Sequence, residues 1–91
     1  SFSMVKSRLE AWIKSPLTPK EFASWMKKYP TGPARGYVDF KMAKAFSEAG
    51  QTKKARQLFT HFVNTYPKNP LAPEAQTLLA QLGGPDSSVA K

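Results

Sequence analysis

Shifted by 37 positions, the sequence falls onto itself: Phe22, Trp25, Tyr29, Pro30 and Pro33 meet Phe59, Phe62, Tyr66, Pro67 and Pro70. Five coincidences among uncommon residue types mark an internal repeat, and a period of this length belongs to arrays of short supersecondary units. Each copy reads as the second helix of a pair, an aromatic at its end and a proline-marked link into the next helix. A lone pair cannot cover both of its apolar faces, so neighbouring pairs must stack. With 91 residues there is room for about two such pairs in a single domain.

Proline and glycine cut the chain into five stretches, and none has the alternation of a strand. Val5, Leu9, Trp12 and Ile13 lie at helical spacing and predict a first helix over 4–14. Thr18-Pro19-Lys20-Glu21 reads as a capping box with proline at the first helical position, opening a second helix that ends near Lys28. The third runs from about Ala34 to Ala49, with Val38, Met42, Ala43 and Phe46 on one face and Gly50 as its stop. Thr52 is placed to cap the fourth, whose Ala55, Leu58, Phe59, Phe62, Val63 and Tyr66 give a broad apolar face before Pro67. A fifth helix over 72–82 turns Ala75, Leu78, Leu79 and Leu82 inward and Glu74, Gln76, Thr77 and Gln81 outward, the pattern of a terminal cap. The prediction is an all-α domain over 1–82, built of a divergent pair (4–28), a regular unit (34–66) and a capping helix, with a disordered tail over 83–91.

Over 36–67, Met42, Ala43, Phe46, Gly50, Ala55, Phe59 and Pro67 stand where a 34-residue helix-pair pattern wants them, and the unit resembles a tetratricopeptide repeat. In this reading Ala43 and Ala55 are small where the helices approach and Phe46 and Phe59 fill the wedge between them. Asp39, where the family often has tryptophan, and Phe62, where it usually has alanine, depart from the pattern. The first copy is degenerate, since Lys6 stands in the place of Ala43 and Ile13 in that of the turn glycine. Phe59-x-x-Phe62-x-x-x-Tyr66-Pro67-x-Asn69 followed by Ala72 and Ala75 is similar to a subgroup found in bacterial envelope proteins, among them outer-membrane assembly lipoproteins and Tol-Pal accessory proteins. The resemblance implies a non-catalytic scaffold that binds a protein or peptide, within a larger envelope protein and weakly favouring the periplasm over the cytoplasm.

The resemblance also implies a groove lined by first helices, and on helix three its positions fall on Tyr37, Phe40, Lys44 and Ser47. With Lys41 they would offer aromatic surface beside two cations, suited to an acidic or carboxylate-ended peptide. The competing reading packs Tyr37 and Phe40 against the preceding pair. Lys53, Lys54 and Arg56 crowd the positive end of helix four, at a cost of about 0.3 to 1 kcal/mol each, and form a second candidate, an anion-binding edge. A solvated face is the alternative there, as it is for His61.

Fourteen Lys and Arg against six Asp and Glu give a net charge of +8, spread over both halves: seven cations and two anions in 1–36, seven and four in 37–91. That excess supports a rival function, a basic surface for nucleic acid or another anionic partner. One His and no Cys leave little nucleophilic or metal-binding chemistry, so neither an enzyme, a metal nor a cofactor is expected. No apolar run approaches the roughly 20 residues of a membrane-spanning helix, and Ser1-Phe2-Ser3-Met4 opens no signal peptide, as in a mature or excised fragment.

Overall fold

The computed structural model describes residues 2–85 and consists of five helices: α1 Phe2–Ile13, α2 Pro19–Lys28, α3 Pro33–Glu48, α4 Thr52–Thr65 and α5 Ala72–Gln81. No strand occurs among the described residues, and none of their helices is long and apolar enough to cross a membrane. The expected all-α, helix-turn-helix architecture is observed. α3 is the centre: α1 and α2 pack on it from one side, α4 from the other, and α5 closes the outer face of α4. A helix packed by neighbours on more than one side buries residues from more than one of its faces. Accordingly Ala34, Tyr37, Val38, Phe40 and Ala43 of α3 are all buried.

Ala43 and Ala55 are fully buried and let α3 and α4 approach closely. The wedge between these helices is filled differently from the expectation. Phe40 sits there, 5.7 Å from Phe59 and 5.6 Å from Phe62 with its ring steeply tilted to both, whereas Phe46 is only half-buried at the far end of α3. Edge-to-face contacts of this kind stabilise by about 0.5 to 1.5 kcal/mol beyond their burial.

The two copies share their helix endings. Tyr29 and Tyr66 are both C-caps whose N–H reaches back four residues, to Trp25 and Phe62 respectively. Each also packs on that residue, with ring centroids 5.7 and 5.5 Å apart. Burial separates the copies, because Phe59 and Phe62 are sealed by α3 and α5 while α2 buries no residue fully.

Local signals differ in detail. The expected side-chain caps at Thr18 and Thr52 are absent: Thr18 accepts the Phe22 N–H through its backbone carbonyl, and Thr52 is already helical, following Gln51. Gly50, at φ 79°, closes α3 as expected, with Gln51 N–H bonded to Phe46 O and Gly50 N–H to Ser47 O. Within the stretch expected to be a disordered tail, Arg56 donates to the carbonyls of Gly84 and Pro85 at 3.0 and 3.2 Å. The rest of the expected tail, 86–91, lies outside the described residues.

Gly36 carries a close approach. A Cβ there would lie 2.9 Å from Asn69 Nδ2 and 3.2 Å from the Tyr66 ring. Neither neighbour yields cheaply, for Asn69 Oδ1 holds the Leu71 N–H at 2.8 Å and the Tyr66 hydroxyl donates to Asp39 at 3.1 Å. Gly36→Ala gains roughly 1 kcal/mol of helix propensity but incurs an overpacking cost of about 1 to 3 kcal/mol. The expected result is a melting temperature lower by about 5 °C, measured by calorimetry.

Candidate functional site

The helix-three groove of the sequence reading is closed. Tyr37 is 1% exposed and Lys41 3% exposed, because α1 lies along this side of α3 with Leu9, Trp12 and Ile13 packed inward, and Phe40 is fully buried against Phe59 and Phe62 of α4. Lys41 is consumed by that contact. Its ammonium donates to the carbonyls of Trp12 at 2.7 Å, Ile13 at 3.1 Å and Ser15, and it lies 5.5 Å from the centre of the Trp12 ring. α1 has no basic residue in its last turn, so α3 supplies the cation that the negative helix end requires. Burial, then Lys44, lower the Lys41 pKa, while Glu48 and Glu21 oppose the shift. Tyr37, Phe40 and Lys41 are therefore structural, and the peptide-groove assignment fails for them.

Lys44 and Ser47 are half-buried further along α3. Lys44 borders a small concavity between α1 and α5, with Glu10, Ile13, Lys14, Leu71 and Glu74, where both signs of charge are present. The proposed anion edge is also divided. Arg56 holds the Gly84 turn, Lys54 lies 5.9 Å from the centre of the Phe46 ring, and Lys53 alone of the three keeps no such partner in the residues described.

A different site emerges at the opposite end of α3. The first turns of α1, the α2–α3 connection and the α4–α5 connection enclose a cleft of about 480 Å³. Its walls are Phe2, Pro33, Tyr37, Tyr66, Pro67 and Pro70, and Lys6 and Lys68 bring charge to two sides. Phe2 is 42% exposed and its ring lies 6.2 Å from that of Tyr37. The hydroxyl of Tyr37, like the Trp12 indole N–H in the core, is buried without a hydrogen-bond partner among the described residues.

The neighbouring polar groups are satisfied. Asp39 accepts Arg35 Nε at 2.8 Å on one oxygen and the Tyr66 hydroxyl at 3.1 Å on the other, and Arg35 also donates to Pro30 O at 3.1 Å. Asp39, the departure from the tryptophan pattern, thus braces the start of α3 against the end of α4. Asn69 accepts the Leu71 N–H, which fixes the connection bearing Lys68. Among the described residues, no carboxylate lines the cleft. Sequence reasoning missed it because it draws on three segments far apart in the chain; Gly36 inside a helix was the one local sign of the close approach beneath it.

Burial raises the pKa of both Tyr37 and Tyr66 above the ordinary 10.0, with Glu10 adding to the first and Asp39 to the second. Raised folded values mean that the folded state holds these protons longer than the unfolded chain, so their contribution is complete below pH 10.0 and falls as pH rises through the folded values. Tyr66→Phe should therefore flatten the loss of stability above that pH, measured by urea melts across the alkaline range. An unchanged slope would contradict the assignment.

Compared with protein-family models, curated proteins and solved structures, the chain finds no match.

Proposed function

We propose that this chain is a tetratricopeptide-type helical repeat unit that acts without chemistry of its own, as a scaffold binding a protein or peptide partner through the cleft at the start of α3. The observation that carries the reading is that cleft: apolar walls and two lysines, held on a braced scaffold. The matched endings at Tyr29 and Tyr66 support the repeat. An envelope setting belongs to the same proposal and is supported only by the run from Phe59 to Ala75.

The net charge of +8 favours a second reading, a basic surface for nucleic acid. Salt separates the two. A peptide held by two charge contacts has no condensed counterions to release and feels salt only through screening, whereas six to ten phosphate contacts lose about 10³ to 10⁵ in affinity between 50 and 200 mM salt. Selection from a displayed random-peptide library, set against binding of a single-stranded DNA 20-mer, is the test. The expected result is a common peptide motif with shallow salt dependence. Failure to enrich any peptide, together with tight and steeply salt-dependent DNA binding, would overturn the reading.

A further inference from the structure

We propose that the cleft anchors one apolar side chain of an acidic peptide segment, with Lys6 and Lys68 pairing with carboxylates on either side of the anchor. This rests on the partner-binding reading and specifies its ligand.

The argument starts from the charge of the walls. Lys6 approaches from α1 and Lys68 from the α4–α5 connection, and among the described residues no acidic side chain lines the cleft between them. Asp39, beside Tyr66, is occupied on both oxygens by Arg35 and Tyr66. Asn69 spends its carbonyl on Leu71 N–H and leaves its amide group to donate. An acidic occupant therefore meets two ammonium groups and the Asn69 amide, while a basic one would be repelled by the same lysines.

Between the lysines the surface is Phe2, Pro33, Tyr37, Tyr66, Pro67 and Pro70, a lining for an apolar side chain rather than for a chain of phosphates. The volume of about 480 Å³ exceeds what one side chain fills and leaves space for backbone on either side of it. Tyr37 lines the cleft beside Phe2, whose ring lies 6.2 Å from its own, and adds to this apolar surface.

The test uses the full 91-residue chain and a fluorescein-labelled peptide in which a leucine is flanked on each side by two glutamates, followed by anisotropy. Two control peptides carry serine for the leucine or glutamines for the glutamates. The proposal expects the leucine peptide to bind the unaltered protein and both controls to bind at least tenfold more weakly. Lys6→Gln with Lys68→Gln should weaken binding about fivefold and flatten the salt dependence. Equal binding by that variant, or equal binding of the serine peptide, overturns the proposal. If Lys53→Gln with Lys54→Gln abolishes binding instead, the cleft is wrong while partner binding stands. If neither this peptide nor any library peptide binds, both readings fall.

Discussion

Lys41→Met should lower the melting temperature by about 10 to 25 °C. The ammonium satisfies three carbonyls at the end of α1, and its own burial at 3% exposure leaves no water to replace it. Methionine preserves most of the stem and the contact with Trp12 but strands the carbonyls, a loss of ~2–4 kcal/mol for charge-assisted bonds in a dry setting. At ~4–8 °C per kcal/mol in a domain of this size, the shift is large. Lys53→Met removes the same charge from an exposed site and should stay within ~0.5 kcal/mol of the unaltered protein. Calorimetry on the two variants decides: equal transitions would show that the α1 cap contributes nothing.

Phe62→Ala installs the residue that the tetratricopeptide pattern usually has, and should nevertheless destabilise by ~3–5 kcal/mol. The ring is fully buried and packs on Phe40 and Tyr66, with centroids 5.6 and 5.5 Å away. Against a total stability of ~5–15 kcal/mol, such a cavity brings the domain near its unfolding threshold. Phe22→Ala, in the degenerate copy, removes a half-buried ring and should cost less than ~2 kcal/mol. Urea midpoints for the pair, at unchanged slope, measure the difference. Similar losses would mean that the copies contribute equally, against the burial seen here.

The elements were legible because their punctuation is local. Proline before α2 and α3, Gly50 after α3 and Pro67 after α4 act within a turn of the residues they govern, and the helix limits follow them closely. What escaped the sequence depends on contacts distant along the chain. α3 reads as having a binding face because a helical period assumes one buried side, and a central helix has none that is open. Lys41 reads as solvated because a cation usually is; its partners are the carbonyls of residues 26 to 29 positions earlier. Arg56 reads as part of an anion edge until the Gly84 turn is placed beside it. The two departures from the repeat pattern prove related, since Phe62 packs on Tyr66 and Asp39 accepts the Tyr66 hydroxyl.

The most direct test is where a selected peptide lands. Titrated into the isotope-labelled chain and followed in ¹H–¹⁵N spectra, it should shift the amides of Gly32, Tyr37, Tyr66, Lys68 and Asn69, the residues around the cleft, and leave Lys53 and Lys54 unmoved. Shifts gathered on Lys44, Ser47 and Glu74, with the cleft amides unchanged, would contradict the account and return the ligand to the α1–α3–α5 side of the molecule.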